Sequence, residues 1–236
     1  LVTNTPVDGL RESPADHTFA LILAVARRIL EGDRMVRRGA FAGWGPELLL
    51  GSDVYGKTLG IVGAGGIGAA VARRARGFGM RILYHSRGPK ARWQAKLGAR
   101  FVSLPKLLED ADIVTLHVPL NPETTHLIGA TELQQIRKGA LLINTSRGSV
   151  VDEEALVAAL NAGQLAGAGL DVFEHEPEVH SELVAMPNVV LTPHTASATR
   201  ETRTEMAVVA ANNLLAGLRG EVPPFLVNPE VLSSQD

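Results

Sequence analysis

Residues 58–68 read Thr58-Leu59-Gly60-Ile61-Val62-Gly63-Ala64-Gly65-Gly66-Ile67-Gly68. The first five are mostly apolar and β-prone, and the last six form a G-x-G-x-x-G pattern that opens a helical stretch. In this context Gly63 allows a tight turn, Gly65 lets the backbone approach a pyrophosphate, and Gly68 lets the helix pack against the strand. The stretch therefore predicts a dinucleotide-binding site.

From this point onward, short apolar runs alternate with helical patterns. We predict strands at 58–62, 81–85, 100–102, 112–116, 140–144, 167–170 and 189–192, and intervening helices that include 66–77, 104–109, 131–137 and 153–162. The strands are almost continuously apolar, which is typical of a parallel sheet covered by helices on both faces. The predicted fold class is α/β, with a doubly wound parallel sheet of the Rossmann type.

The flanks do not follow this alternation. We expect residues 13–198 to form the dinucleotide-binding domain, with 1–12 and 199–236 outside it, the latter containing a helix and a tail. Residues 1–3 are predicted as a short strand, and 14–30 as one helix with Ser13 as its N-cap. The apolar, poorly periodic stretch at 31–54 is predicted to be an irregular arm that packs on a second subunit.

Composition narrows the classes of function. The chain has 236 residues, 45% of them hydrophobic and 20% charged, with a net charge of -2 and no cysteine. The longest apolar run, 19–26, is too short to cross a bilayer, and the charge suggests no nucleic-acid partner. Without cysteines, disulfides and thiolate metal sites are excluded, and a cytoplasmic location is favoured.

The end of the second predicted strand bears on which dinucleotide is bound. NAD sites usually carry an acidic residue there, which holds the ribose 2′-hydroxyl. Here Ser86 and Arg87 follow the strand, and no acidic residue occurs between positions 54 and 108. Because Ser86 can hydrogen-bond a 2′-phosphate and Arg87 can pair with it, NADP(H) is favoured. NAD(H) is the alternative, if this segment is an ordinary exposed turn.

Three polar residues follow later strands, where ligands of open α/β sheets collect. They are Arg147, Glu176 and His194. An arginine can bind a carboxylate with two hydrogen bonds. A histidine can exchange a hydroxyl proton near neutral pH, and a carboxylate can hold its tautomer. Together they predict hydride transfer to or from a small 2-keto or 2-hydroxy acid, although each alone could be a surface ion pair or a cap.

The other histidines are weaker candidates for the proton-transfer group. His117 also ends a predicted strand and is the main rival, but the backbone of this strand end, with Val118 and Pro119, is expected to contact the cofactor. His85 lies near the adenosine end, and we predict that the remaining four are surface residues, namely His17, His126, His175 and His180. No His-Glu-x-x-His spacing occurs, so no metal site is predicted.

Several motifs extend over nearly the whole chain: GKTLGIVG at 56–63, LHVPL at 116–120, NTSRG at 144–148, GLDVFEHEP at 169–177 and TPHTASAT at 192–199. With them the sequence resembles the D-isomer-specific 2-hydroxyacid dehydrogenases, and within that family the glyoxylate/hydroxypyruvate reductases. The resemblance implies that Arg147 binds substrate, Glu176 supports the histidine, and His194 is the acid/base. It also implies Thr145 near the nicotinamide, Asp171 at its carboxamide, and a homodimer formed through this domain.

The resemblance also sets expectations about what the chain does alone. Family members carry a substrate-binding domain before the cofactor domain. By this resemblance, residues 1–12 end the substrate domain, and 199–236 form a C-terminal helix and tail that return toward it. The glycine-containing loop of that domain has no counterpart in this sequence. We therefore expect cofactor binding and dimer formation, but not sustained reduction of glyoxylate by these residues alone. Two other functions stay open: a non-catalytic dinucleotide-sensing protein of the same fold, and an NAD-dependent phosphoglycerate or phosphite dehydrogenase.

Overall fold

The strand predictions are confirmed as a single parallel sheet. The structure is a computed structural model and describes residues 1–232. Seven strands lie in the order β3-β2-β1-β4-β5-β6-β7, and every pairing is parallel. They are β1 Thr58–Val62, β2 Arg81–His85, β3 Arg100–Phe101, β4 Ile113–Leu116, β5 Ala140–Asn144, β6 Leu165–Leu170 and β7 Val189–Leu191.

The helices fill the connections between these strands and the flanks of the sheet. They are α1 Gly9–Ala26, α2 Ile29–Arg37, α3 Gly66–Gly77, α4 Ala91–Leu97, α5 Leu104–Asp110, α6 Ala130–Gln135, α7 Glu153–Asn161, α8 Ser181–Ala185 and α9 Arg200–Leu218. Short 3-10 turns occur at Gly148–Val150 and Pro229–Leu232. Within residues 1–232, no helix combines the length and the apolar character that crossing a membrane requires.

Two apolar cores, one on each face of the sheet, explain why most strand residues are apolar. In β1, Leu59 and Ile61 pack with helices α1, α3 and α4, whereas Val62 packs with α5, α6 and α7. Successive side chains of a strand point to opposite faces, so a strand between two helix layers must be apolar at every position. The doubly wound α/β prediction is confirmed.

The prediction of one helix over 14–30, capped by Ser13, is wrong at both ends. Helix α1 begins at Gly9, and the Ser13 hydroxyl instead lies 3.3 Å from that of Thr202. The helix stops at Ala26 because Arg28 adopts a left-handed conformation (φ 52°), which its two hydrogen bonds to Glu31 support. Pro14 lies inside α1 and not in its first turn, and its missing N–H removes one backbone hydrogen bond of the helix.

The arm predicted as irregular over 31–54 is helical in its first part, since α2 occupies Ile29–Arg37. An Arg37–Asp33 pair, four residues apart, supports this helix. The rest has no regular structure. Several of its large apolar side chains face solvent, and Trp44 is 86% exposed.

The chain divides into two compact units. One consists of Leu1–Pro14 with Ser197–Asp236, and the other of Ala15–Ala196, which contains the whole sheet. The last four positions of the C-terminal segment predicted at 199–236 lie outside the described residues. In the first unit, Asn213 hydrogen-bonds the backbones of Asn4 and Phe225. The strand predicted at 1–3 is reduced to one bridge between Thr3 and Leu226.

Candidate active site

The glycine turn after β1 has the conformation that its sequence predicts. Gly63 has φ 108°, a region that side-chain-bearing residues avoid, and a Cβ there would lie 2.4 Å from the carbonyl oxygen of His117. Gly68 lies in α3, where a Cβ would come within 2.2 Å of the carbonyl oxygen of Gly63. A Cβ at Gly65 would meet open space, so the backbone is accessible there.

A cavity of about 530 Å³ lies at the carboxyl end of β1, and its volume suits part of a dinucleotide. It is lined by segments that follow three adjacent strands, including Gly63, Gly65, His85, Ser86, Arg87, Lys90, His117, Val118 and Pro119. The strand order changes direction between β1 and β4, which is where ligands bind in open α/β sheets. We call this cavity the cofactor cleft.

The charges of the cofactor cleft are mainly positive. Arg87 and Lys90 line it at the end of β2, and among its described lining residues Glu123 has the one carboxylate. The Ser86 hydroxyl donates a hydrogen bond to the carbonyl of Gly88 at 2.7 Å, which closes the turn after β2. The cleft therefore suits an anionic ligand at this end.

Some of the predicted cofactor residues lie beside the cofactor cleft without lining it. Gly66, Ile67 and Gly68 form the first turn of α3, directly after the lining residue Gly65. Their backbone N–H groups belong to the helix N-terminus, where no earlier turn supplies acceptors. This part of the predicted site is therefore available to a ligand through its backbone.

Two further predicted cofactor residues, Thr145 and Asp171, are buried. The hydroxyl of Thr145 lies 3.0 Å from that of Thr18. The side chain of Asp171 is 0% exposed, and its carboxylate accepts hydrogen bonds from the backbone of Thr195 and Ala196. Because the carboxylate already has these partners, contact of Asp171 with a nicotinamide carboxamide stays a prediction.

Arg147, Glu176 and His194 line one cavity of about 680 Å³, which we call the catalytic cavity. Its other lining residues come from the segments after β4, β5 and β6: Leu120, Gly148, Ser149, Phe173, Glu174, His175, Pro177 and Glu178. Because all the strands are parallel, these segments lie at the same edge of the sheet as the glycine turn. Three residues that are distant in sequence are thus brought together.

His194 and Glu176 form a direct pair. The Nδ1 atom of His194 lies 2.9 Å from Oε2 of Glu176, and Oε1 of Glu176 accepts from the backbone N–H of Phe173 at 3.1 Å. Partial burial alone would raise the pKa of Glu176, but these hydrogen bonds outweigh it and hold the pKa below its usual value. An ionised carboxylate only accepts, so Nδ1 carries the proton and Nε2 is left for a ligand.

Arg147 is positioned by the loop that follows β5. The side chain of Asn144 hydrogen-bonds the carbonyl of Arg147 and the backbone N–H of Ser146. Gly148 then packs directly on the segment after β6, because a Cβ there would lie 1.9 Å from the carbonyl of Phe173. This close approach places the exposed Arg147 beside the segment that carries Glu176.

His117, the rival for proton transfer, is in the wrong environment for that role. It lines the cofactor cleft and not the catalytic cavity, and neither of its buried ring nitrogens has a partner among residues 1–232. Burial lowers the pKa of His117 to about 3. The ring is therefore neutral at ordinary pH and does not act as a proton donor there.

Three of the histidines predicted as surface residues have specific side-chain partners, and His180 pairs with Glu154. His17, on α1, lies 2.9 Å from the hydroxyl of Thr192 and 3.3 Å from Oδ1 of Asp171. His126 pairs with Glu174, a contact that raises the pKa of this histidine. His17 lies two residues before the apolar run 19–26 of α1, and this position is the sequence signal that could have indicated these contacts. Across the described chain, no three His, Asp or Glu residues are arranged to hold a metal ion.

Comparison with known proteins agrees with this geometry. Residues 19–196 match the model of the D-isomer specific 2-hydroxyacid dehydrogenase NAD-binding domain. A glyoxylate reductase from Korarchaeum cryptofilum is 56% identical, over 98% of this chain and 70% of its own length.

Solved structures give the same result. A protein from Thermus thermophilus superposes with a TM-score of 0.90 at 53% identity, over 96% of this chain and 71% of the other. A glyoxylate reductase from Paecilomyes thermophila gives 0.85 at 39% identity, over 96% and 68%. The chain belongs to the D-isomer specific 2-hydroxyacid dehydrogenase family, as an NAD(P)-dependent oxidoreductase of 2-hydroxy acids.

Proposed function

We propose that the protein is an NADP(H)-preferring reductase of small 2-keto acids, with glyoxylate or hydroxypyruvate as the substrate. The observation that carries the proposal is the placement of Arg147 and the His194–Glu176 pair in one open cavity at the carboxyl edge of the sheet. The relatives named glyoxylate reductase, at 52–56% identity, support this choice of substrate.

Each of the three residues has a distinct role. When bound, the nicotinamide dinucleotide supplies or accepts a hydride. Arg147 binds the substrate carboxylate, for which its planar guanidinium is well suited. His194 donates a proton from Nε2 to the developing hydroxyl during reduction and accepts it during oxidation. Glu176 holds the Nδ1 proton and stabilises the imidazolium.

The residues of the glycine turn would hold the dinucleotide. The open space at Gly65 leaves room for a pyrophosphate against the backbone, and the first N–H groups of α3, from Gly66 and Ile67, favour its negative charge. Gly63 and Gly68 keep the turn tight enough for this approach. The cofactor cleft is also lined by residues 118–119, and the nicotinamide end would lie toward the segment after β5.

NADP(H) is favoured over NAD(H) because the end of β2 carries Ser86 and Arg87, with Lys90 nearby. The test is a pair of calorimetric titrations with NADPH and NADH. Replacing Ser86→Asp together with Arg87→Ala should shift the preference toward NADH by about 1–3 kcal/mol, the usual value of hydrogen bonds to charged groups. Equal affinities for both dinucleotides in the unmodified protein would contradict the preference.

His194→Gln tests the reaction itself. Loss of a positioned proton donor lowers kcat by about 10²- to 10⁴-fold, while NADPH affinity should be retained. The matched control is His180→Gln, which breaks a His180–Glu154 pair outside the catalytic cavity and should keep full activity. Because these residues alone are not expected to sustain reduction, every kcat is measured with the chain joined to a substrate-binding domain of the family. NADPH binding with no reduction of glyoxylate or hydroxypyruvate in that form would favour the non-catalytic, dinucleotide-sensing function.

The exposed arm after α2 supports a homodimer. Its apolar side chains include Phe41, Trp44 and Leu50, each more than half exposed. Large apolar side chains grouped on one segment are typical of a surface covered by another protein. Sedimentation of the protein should show a dimer that Trp44→Ser weakens, and a monomer at micromolar concentration would count against it.

A further inference from the structure

We infer that His17 is a positioning residue for His194, acting through the side chains of Thr192 and Asp171. The inference rests on the proposed function, since it assumes that His194 exchanges the proton. His17 acts from outside the catalytic cavity, because neither it nor Asp171 lines that cavity.

Asp171 accepts several of the hydrogen bonds that hold the turn that carries His194. One carboxylate oxygen accepts from the Thr192 hydroxyl at 2.6 Å and from the backbone N–H of Thr195 at 2.8 Å, and the other accepts from Ala196 N–H at 2.7 Å. The backbone carbonyl of Asp171 accepts from His194 N–H at 2.8 Å. A single residue at the end of β6 therefore contacts four positions of the turn.

These bonds are needed because the turn is in an unfavourable conformation. His194 has φ 54°, in the left-handed region that residues with a side chain seldom adopt. Such conformations persist only where the surroundings impose them. Without the bonds to Asp171, His194 would relax to a negative φ and its ring would leave Glu176.

His17 completes this arrangement from helix α1. Thr192 has one hydroxyl proton and gives it to Asp171, so its oxygen is left to accept from Nε2 of His17 at 2.9 Å. The same nitrogen lies 3.3 Å from Oδ1 of Asp171. His17 therefore donates into both groups and fixes the direction in which Thr192 donates.

The next residue on α1 reinforces this view. Thr18 is buried and hydrogen-bonds Thr145 at the end of β5. Two consecutive polar residues, directly before the apolar run of the helix, thus contact the ends of β5, β6 and β7. Such contacts fit a helix that supports the catalytic edge of the sheet in addition to filling the core.

Three variants test the inference. His17→Leu removes the donor at similar volume, His17→Gln keeps an N–H donor, and Asp16→Leu changes an exposed neighbour on the same helix. We expect His17→Leu to lower kcat by about 10- to 100-fold through misplacement of His194. The KM for NADPH should stay within about twofold, because the glycine turn is untouched. His17→Gln should restore most of kcat, and Asp16→Leu should not change it.

Amide hydrogen exchange gives a readout that does not depend on turnover. In His17→Leu, exchange at the N–H groups of Thr195 and Ala196 should accelerate about 10-fold or more while the strands stay protected. In His17→Gln it should remain slow. Unchanged exchange and unchanged kcat in His17→Leu would overturn the inference, and so would a loss that His17→Gln does not repair. If His194→Gln instead leaves kcat intact, the proposed function fails, and the exchange measurement alone then decides whether His17 supports the turn of His194.

Discussion

Two turns at the same edge of the sheet each place a residue in a left-handed conformation, but by different means. After β1, Gly63 has φ 108° and has no side chain to resist it. After β7, His194 has φ 54° in spite of its side chain, and hydrogen bonds to Asp171 hold it there. The first turn is stable through its own residues, whereas the second depends on its partners.

The difference follows from what each turn has to do. A pyrophosphate is bound by backbone, so small residues that let the backbone approach are sufficient. A proton donor must instead present a bulky side chain at a defined position, and the backbone conformation that achieves this has to be imposed from outside. We therefore expect the glycine turn to be sensitive to added atoms. The histidine turn, residues 192–196 after β7, should instead be sensitive to lost hydrogen bonds.

The largest effect should come from Gly68→Ala. Its methyl group would lie 2.2 Å from the carbonyl oxygen of Gly63, so α3 has to move away from the turn. We expect a loss of about 3 kcal/mol or more in the free energy of unfolding, measured with urea, because backbone cannot yield as a side chain can. NADPH binding, measured by calorimetry, should be lost with it.

Gly65→Ala is the matched control for that variant. The new methyl group meets no atom within 4 Å, and the backbone is already in a conformation that alanine adopts. Stability should therefore stay the same or rise by up to about 1 kcal/mol. NADPH affinity should nevertheless fall, because the methyl group occupies the approach to the backbone. Equal destabilisation by the two variants would contradict this view of the glycine turn.

Asp171→Asn should break the histidine turn. The amide group of asparagine cannot accept from both Thr195 N–H and Ala196 N–H through the same two atoms, so at least one buried donor loses its partner. We expect a loss of about 2–3 kcal/mol at neutral pH in urea unfolding.

The pH dependence of this variant gives a second check. Burial alone would raise the pKa of Asp171. Hydrogen bonds from His17, Thr192 and the backbone lower it by more than burial raises it, so the pKa lies below the usual value. The carboxylate therefore contributes stability above its ordinary pKa of about 3.9, and this is lost as the pH falls through the lowered value. Wild type and variant should converge in acid, and a constant difference would contradict the assignment.

The two turns also differ in how much of them could be predicted. The glycine turn is encoded within six consecutive residues, and its tight conformation and its position between a strand and a helix were predictable. Roles could be suggested for Arg147, Glu176 and His194, but not the contacts of Asp171, because they join residues distant in sequence. The break of α1 at Arg28 was missed for a related reason, since it depends on backbone conformation and not on periodicity.

His117, which packs against the glycine turn, should make the free energy of unfolding depend on pH. Its carbonyl oxygen contacts Gly63, and its unpartnered ring has a pKa lowered to about 3 by burial. In the unfolded chain, the ring of His117 is protonated below about pH 6.5. The stability that the neutral buried ring contributes is therefore complete above that pH and falls as the pH drops toward 3. Between about pH 7 and pH 5 the loss should be about 2 kcal/mol. In His117→Leu, urea unfolding should show this part of the pH dependence removed; an unaltered slope would show that the ring does not resist protonation.

The smallest effect concerns His126, whose backbone is also left-handed, with φ 50°, and whose side chain pairs with Glu174. The pair raises the pKa of His126, mainly through the hydrogen bond. Its contribution is therefore present below the ordinary pKa of about 6.5 and is lost as the pH rises through the raised value. Because the ring is 44% exposed, His126→Gln should cost less than about 1 kcal/mol near pH 6. Thermal unfolding at several pH values should show the difference between wild type and variant shrinking as the pH rises through the raised pKa. A difference that grows with pH would mean that the left-handed backbone of His126, and not its charge, is what the pair stabilises.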